Sequence, residues 1–330
     1  MEIDSRYMAR ALQLARLGRL DASPNPMVGA VIVAPGVGII GEGWHRQVGH
    51  GHAEVNAVAS VAPSDRHLLR NSTMYVTLEP CSHYGRTPPC AQLIIDTGIP
   101  RVVVATLDPY PAVAGRGVKM LRDAGIEVEI GVMEAEARTL NRRFFTAHTR
   151  QRPWVTLKWA QSADGFLDRR RAPGEPAQKF STPLGSVAVH RLRGCHDAVL
   201  TGAGTVMADN PRLDTRLYPG SLEPLRVVVD RRGRVSPSSN IFSRPGTLYL
   251  TTRLRTDLPE GVEQIEIAPD AGPEELLKLL WDRGVTSVLV ESGAELLQAF
   301  IDSGAYDAAR TEHSPIVLGP SGTTPAPRLR

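Results

Sequence analysis

Apolar positions near the N-terminus follow two different periods. Apolar residues recur first at helical spacing, at Tyr7, Met8, Ala11, Leu12 and Ala15, which predicts a helix. Asp4 or Ser5 can cap the start of this helix. The sequence "SPNP" at 23–26 ends this helix. An apolar run at 27–33 and a Gly-rich turn with a second strand at 36–44 then predict a β-hairpin.

Beyond the hairpin, strand patterns alternate with helix patterns. The sequence predicts a helix opening near Gly51 or His52, a strand at 72–79, a helix after Pro88 and Pro89, and a strand at 101–108. A helix and a strand separated by Gly125, and one more helix at 134–148, complete this half. The alternation is typical of a layered α/β domain.

The strand pattern restarts near Pro153, and 330 residues suggest two domains at roughly 100–200 residues each. We therefore expect domains at 1–149 and 150–330. The second is predicted to contain helices at 184–193, 273–284 and 294–304 and strands at 196–204, 225–230, 247–252 and 287–293. Residues 169–179 and 319–330 are predicted to be loops or tails.

Composition narrows the class of protein. The net charge of +3 (38 basic and 35 acidic residues) gives no reason to expect nucleic acid. No apolar run reaches 18 residues and the N-terminus lacks a signal-peptide pattern, so we expect no membrane association. Three cysteines are too few for a disulfide framework, which favours a reduced, cytoplasmic setting.

Four residues carry a metal-site pattern: His52, Glu54, Cys81 and Cys90. Imidazole and thiolate bind Zn²⁺ well, and three protein ligands leave a fourth position for water, as in catalytic sites. Zinc lowers the pKa of its bound water to about 7, and Glu54 is then the natural proton shuttle. The alternative makes His52 a helix cap and both cysteines small buried apolar residues.

The loop between the two cysteines is longer than the Cys-x-x-Cys of the nucleic-acid-editing deaminases. Its Arg86 can pair with a phosphate through two hydrogen bonds, which favours a phosphorylated small substrate. A solvated loop charge is the alternative for Arg86.

The second half carries weaker signals. The sequences "TGAGT" at 201–205 and "ESGAELL" at 291–297 each join a strand to a Gly-containing turn, and the second leads into a helix N-terminus that can receive a pyrophosphate. Ordinary turns explain both equally well. Arg231, Arg232 and Arg234 can hold a 2′-phosphate or form a solvated charge run. His190 and His196 are predicted to be structural.

Motifs along nearly the whole chain resemble those of the bifunctional deaminase–reductases of riboflavin biosynthesis. They include "SPNPMVGAVIV", "HAEVNA", "LEPCSHYGRTPPC", "LKWAQSADG", "VHRLRGCHDAVLTGAGTVMADNPRLDTR" and "VLVESGAELLQAF". The resemblance implies an N-terminal cytidine-deaminase-like α/β/α domain and a C-terminal dihydrofolate-reductase-like α/β domain. It implies zinc-dependent deamination of a diaminohydroxy-phosphoribosylamino-pyrimidine, then NADPH reduction of its ribosyl group to ribityl.

The resemblance also implies roles for individual residues. In the first half, His52, Cys81 and Cys90 are metal ligands, Glu54 is the acid and base, and Asn25 lies in the pocket. The residues implied to bind NADPH are Lys158, Gln161, Thr205, Asp209, Gly293, Ala294, Glu295, Leu296 and Leu297. Those implied to bind substrate in the second half are Arg193, Leu213, Arg216 and Glu291. Ala177 and Lys179 depart from the Ser and Trp usual in the family.

The expected partners are phosphorylated pyrimidine small molecules, with no nucleic acid and no membrane, and a homo-oligomer is left open. Two other functions fit parts of the sequence. One is a nucleoside or tRNA deaminase with a non-enzymatic C-terminal binding module. The other is a structural-zinc protein without turnover, although Glu54 then has no structural duty.

Overall fold

Two separate cores divide the chain into a first unit, Met1–Arg150, and a second unit, Gln151–Arg330. The computed structural model describes residues 2–84, 88–110, 113–172, 175–220 and 222–329. Each unit has its own central β-sheet with helices packed against it. No helix of the described residues is both long and apolar enough to span a bilayer.

The sheet of the first unit has five strands in the order β2-β1-β3-β4-β5. Its strands are β1 (Gly29–Ala34), β2 (Gly38–Trp44), β3 (Thr73–Val76), β4 (Arg101–Val104) and β5 (Glu127–Ile130). Its helices are α1 (Glu2–Ala15), α2 (Ala53–Ser60), α3 (Cys90–Thr97), α4 (Arg116–Asp123), α5 (Glu134–Leu140) and α6 (Arg142–Arg150). The predicted hairpin is confirmed by the antiparallel β1–β2 pair, and β3, β4 and β5 are mutually parallel.

Helices cover both faces of this sheet because its central strands are apolar on both sides. Ala30 and Ile32 of β1 pack with α2, α3 and α4, whereas Val31 and Val33 pack with α1 and α5. The result is three layers, α/β/α, as expected. Gly43 lets α2 approach β2 closely, since a Cβ there would lie 2.3 Å from the Ala57 nitrogen.

The prediction of a single helix at 134–148 is wrong. The structure has two helices, α5 and α6, with Asn141 between them. The buried Asn141 amide donates to the Met27 carbonyl and accepts from the Met27 nitrogen, both at 2.8 Å. These two hydrogen bonds link the break between α5 and α6 to the residues just before β1. Such a long-range contact is not revealed by helical periodicity.

The second unit contains a seven-stranded sheet in the order β11-β10-β9-β8-β12-β6-β13, with all neighbours parallel. Its strands are β6 (Trp154–Gln161), β8 (Ala198–Gly202), β9 (Leu225–Val229), β10 (Thr247–Thr251), β11 (Val262–Glu266), β12 (Ser287–Glu291) and β13 (Ala308–His313). A separate pair is formed by β7 (Phe166–Arg169) and β14 (Gly322–Pro325). The helices are α7 (Pro183–Gly194), α8 (Ala203–Asp209), α9 (Pro273–Trp281) and α10 (Ala294–Ser303).

Two predictions for the second unit are corrected, and two of its strands were not predicted. The tail at 319–330 includes β14, and the strand predicted at 196–204 ends at Gly202, directly before α8 begins at Ala203. The edge strands β11 and β13 were not anticipated. Their sequences, "VEQIE" and "AARTEH", are partly exposed and lack the apolar run that marks β6, β9 and β12.

Candidate active sites

Three metal-binding side chains meet at the N-termini of two helices in the first unit. His52 caps α2 with an extended backbone, and Cys90 is the first residue of α3. The Nδ1 atom of His52 lies 3.6 Å from the Cys81 sulfur and 3.4 Å from the Cys90 sulfur. Tetrahedral zinc, with bonds of about 2.3 Å to sulfur and 2.0–2.1 Å to nitrogen, separates such ligands by about 3.6 Å. The donor set and its spacing therefore fit zinc.

Local hydrogen bonds fix the two helix starts. The Asn56 side chain donates to the carbonyls of Trp44 and Gly51, at 2.8 and 3.0 Å, and so closes the turn before His52. The Cys90 nitrogen donates to the Cys81 sulfur at 3.3 Å. Hydrogen bonds from the Cys90 side chain and from His52 lower the pKa of Cys81, which favours the thiolate that a metal needs.

Glu54 is the second residue of α2 and is buried, with 3% of its surface exposed. Burial, together with the nearby Cys81 charge, raises the pKa of Glu54 to about 7. A carboxyl group with such a pKa can both accept and return a proton near neutral pH.

Asn25 forms a hydrogen bond with His45, a residue that the sequence analysis missed. The Asn25 Nδ2 atom lies 3.2 Å from His45 Nε2, and His45 Nδ1 lies 3.3 Å from the Gly51 carbonyl. Because an amide N–H donates, His45 accepts at Nε2 and carries its proton on Nδ1. The His45 ring stands edge-on to His52, with centroids 5.5 Å apart, so Asn25 and His45 lie beside the metal donors.

Glu79 is a second residue that the sequence analysis missed. Its buried carboxylate accepts three backbone N–H bonds, from Asp108 at 3.2 Å, Gly115 at 2.9 Å and Val118 at 3.1 Å. These bonds attach the segment before Cys81 to the start of α4. A glutamate after an apolar strand is not distinctive, so only the "LEPC" context could have pointed to it. The predicted phosphate contact, Arg86, lies outside the described residues.

In the second unit, the carboxyl ends of β6, β8, β9 and β12 surround a cavity of about 1160 Å³. Ligands of open parallel sheets bind outside this edge. Most of the predicted cofactor and substrate residues line the cavity: Lys158, Thr205, Asp209, Gly293, Ala294, Glu295, Leu296, Arg193, Leu213 and Glu291.

Three predicted residues lie outside the described lining. Gln161 accepts a hydrogen bond from the Trp159 indole at 2.8 Å, and Leu297 is fully buried in the core. Arg216 pairs with the buried Asp214 carboxylate. Their assignment to cofactor or substrate stays a prediction.

A bidentate ion pair lies in the cavity wall. Arg193 Nε and Nη2 donate to the two Glu291 oxygens, at 2.7 and 2.9 Å, and Nη1 donates to the Asp214 carbonyl at 3.1 Å. The Arg193 guanidinium, which the resemblance implies binds substrate, is thus already paired within the protein. Burial alone would raise the pKa of Glu291, but Arg193 and then Lys158 hold it below its ordinary value.

The N-termini of α8 and α10 are joined at the cavity. The Gly293 nitrogen donates to Thr205 Oγ1 at 2.9 Å, and the Gly202 nitrogen donates to Ser292 Oγ at 3.0 Å. The first turn of α10 faces the cavity, where its N–H groups can receive a phosphate. Asp209 accepts from Arg171 at 3.0 Å.

Five further residues of interest line the cavity. Ala177 and Lys179, the two positions expected to depart from the family pattern, lie in the wall. Arg231, Arg232 and Arg234, which follow β9, also line it. The cavity is therefore rich in cations at the end of one strand, which suits a cofactor that carries phosphates.

Family comparisons assign both halves. Residues 1–106 match the cytidine and deoxycytidylate deaminase zinc-binding region, and residues 153–328 match the RibD C-terminal domain. These matches leave no support for a non-enzymatic C-terminal module.

Relatives match over nearly the full length. The riboflavin biosynthesis proteins RibD of Aquifex aeolicus and Escherichia coli are 41% and 39% identical, over 96% of this chain and 88% and 89% of theirs. The solved structure of Acinetobacter baumannii RibD (form 1) aligns with a TM-score of 0.89 at 37% identity, over 98% of this chain and 90% of that one. The Thermotoga maritima deaminase/reductase aligns at 0.88 and 38%, with the same coverage.

A zinc-binding deaminase region, a reductase domain and full-length likeness to these proteins all point the same way: the chain belongs to the RibD family of bifunctional deaminase–reductases of riboflavin biosynthesis, which use zinc and NADPH.

Proposed function

We propose that this chain deaminates 2,5-diamino-6-(5-phosphoribosylamino)pyrimidin-4-one and then reduces the ribosyl group of the product to ribityl. The name of the Thermotoga maritima relative carries both activities, on a diaminohydroxyphosphoribosylaminopyrimidine and on 5-amino-6-(5-phosphoribosylamino)uracil. The observation that carries the proposal most directly is the His52, Cys81 and Cys90 cluster with the buried Glu54 beside it. We assign deamination to residues 1–149 and reduction to residues 150–330.

In the deamination, water replaces the amino group, which leaves as ammonia. His52, Cys81 and Cys90 would hold the zinc ion, which when bound would lower the pKa of a water molecule. Glu54 accepts the proton that the attacking water loses and returns it to the departing nitrogen. Asn25 is suited to orient the pyrimidine, because its amide is already held by His45.

In the reduction, a hydride would add to the ribosyl C1 carbon while the bond from C1 to the ring oxygen breaks, and a proton on that oxygen completes the open ribityl chain. NADPH supplies the hydride. The residues of the chain position the reactants and exclude water. The first turn of α10 and Thr205 are suited to the cofactor phosphates, while Glu291, fixed by Arg193, is suited to hydroxyl groups of the substrate.

A coupled assay tests both steps. The purified chain is given the diaminopyrimidine with and without NADPH, and ammonia release and NADPH oxidation are followed. We expect ammonia in both reactions, and NADPH consumption only after deamination begins. NADPH consumption without ammonia would overturn the order of the steps, and ammonia without any NADPH consumption would overturn the reductase assignment.

A further inference from the structure

The segment 210–218 carries two of the residues proposed to bind the reductase substrate, Leu213 and Arg216, yet it contains no helix or strand. Its centre is nevertheless buried, since Leu213 is only 4% exposed. Leu213 has a φ of +50°, a left-handed conformation that a leucine adopts at a cost in free energy. Such strain persists only where surrounding contacts hold the backbone in place, and it concentrates at functional sites.

Two side chains of α7 supply such contacts. Arg193 Nη1 donates to the Asp214 carbonyl at 3.1 Å, and the Leu217 nitrogen donates to His190 Nδ1 at 3.4 Å. The two residues are three positions apart and so share one face of the helix. The strained Leu213 is thus followed by two backbone groups that α7 side chains hold, at Asp214 and at Leu217.

The hydrogen bond fixes the state of the His190 ring. Because the Leu217 amide donates, Nδ1 must be an acceptor, and the neutral ring carries its proton on Nε2. His190 is 4% exposed, and the Asp214 carboxylate lies 3.8 Å from Nδ1. Burial first, and then the charges of Arg193 and Arg216, lower the pKa of His190, which agrees with a neutral ring.

We propose that His190 is a positioning residue for the reductase reaction, which holds the Leu217 amide and so keeps the Leu213 turn at the cavity. The inference rests on the proposed function, together with the prediction that Leu213 and Arg216 contact the phosphorylated pyrimidine. It replaces the expectation, drawn from sequence, that His190 is only structural.

Asparagine and glutamine variants separate positioning from simple packing. The side-chain oxygen of asparagine can reach the position of Nδ1, whereas that of glutamine reaches the position of Nε2. His190→Asn therefore keeps an acceptor for Leu217, and His190→Gln and His190→Leu lose it. His196 provides a matched control, because it is equally buried and its ring atoms bond the Leu192 carbonyl and Thr156 Oγ1.

The experiment is steady-state reduction of the deaminated pyrimidine by the full chain, with its deaminase activity measured in the same samples. We expect His190→Gln and His190→Leu to raise the KM for the pyrimidine about five- to tenfold, the effect of one lost hydrogen bond with some relaxation. The KM for NADPH should change less than about twofold, and His190→Asn should stay close to the wild-type protein.

Equal KM values for the Asn, Gln and Leu variants would overturn the inference, as would a matching rise in His196→Leu. If His190→Leu does not fold, the comparison of Asn with Gln still decides. Failure of the wild-type protein to reduce the pyrimidine would instead overturn the proposed function, so the two failures are distinguishable.

Discussion

At the scale of single residues, the three arginines after β9 bring positive charge to one side of the cavity. Arg231 donates through Nη2 to the Ala271 carbonyl at 2.6 Å, while Arg232 and Arg234 are exposed in the lining. The guanidinium group of arginine binds phosphate well. In open parallel sheets that bind dinucleotides, residues beyond the carboxyl end of a strand lie near the cofactor ribose. These residues are therefore the candidates for discriminating NADPH from NADH.

The corresponding prediction concerns cofactor preference. Arg232→Ala should raise the KM for NADPH about tenfold, because a surface charge contact to phosphate is lost, and leave the KM for NADH unchanged. Arg253→Ala is the control, since Arg253 is an exposed arginine after the neighbouring strand β10. Equal effects on both cofactors, or an equal effect in the control, would contradict the assignment. Initial-rate measurements with each cofactor decide.

At the scale of elements, Glu79 connects the segment after β3 to α4. It thereby helps to hold the backbone that leads into the zinc ligand Cys81. Three N–H groups converge on one buried carboxylate. The Pro80 carbonyl also touches α4 so closely that a Cβ on Gly117 would lie 1.9 Å from its oxygen. The position of Cys81 therefore depends on the packing of α4 against residues 79–80.

We predict that Glu79→Ala lowers the free energy of unfolding by about 3 kcal/mol, because three backbone N–H groups lose the buried, charged acceptor that they share. The change is measured by urea denaturation, with the loss of deaminase activity as the signal for unfolding. Glu127→Ala is the control: that carboxylate is 71% exposed in its pair with Arg101, so its loss should cost less than about 0.5 kcal/mol. An equal midpoint for Glu79→Ala and the wild-type protein would exclude the support role.

A second prediction at this scale uses the contact of Gly117. Gly117→Ala should destabilise the chain by about 2 kcal/mol or more, because the added methyl meets backbone rather than a movable side chain. Gly204→Ala, also in a helix but with open space around the added methyl, should be neutral or stabilising by up to about 1 kcal/mol. Thermal unfolding of both variants tests this, and similar shifts would show that the contact at Pro80 relaxes easily.

The sequence predicted the elements whose patterns are local and strong. The hairpin, the apolar strands β6, β9 and β12, and the start of α3 after two prolines all follow from nearby residues. It did not predict β11, β13 and β14 or the break at Asn141, because partners distant in the chain decide those features.

The same distinction applies to the sites. His52, Glu54, Cys81 and Cys90 were recognisable because zinc binding needs those ligand types, and zinc deaminases carry them in that order. His45, Glu79 and His190 act through neutral or backbone hydrogen bonds, which leave no type-specific signal in the sequence. The paired state of the Arg193 fork was equally invisible, because its partner Glu291 is 98 residues away.

At the scale of the whole molecule, each unit has its own sheet, core and candidate site. Domains with independent cores can usually fold alone. We therefore predict that residues 1–150 and 151–330, produced separately, retain deaminase and reductase kcat/KM within about threefold of the full chain. Loss of either activity in a folded fragment would show that the units depend on each other.

The most direct test of the zinc–glutamate site is the zinc content and deaminase rate of Glu54→Gln, with reductase activity in the same sample as the control. We predict an equimolar amount of zinc, as in the wild-type protein, unchanged reduction, and a deamination rate lower by about a thousandfold, because only the proton shuttle is removed. If the variant loses both its zinc and its deaminase activity, Glu54 is a metal ligand. If the variant deaminates at the wild-type rate, Glu54 takes no part in the chemistry. Either result would contradict the roles assigned at this site.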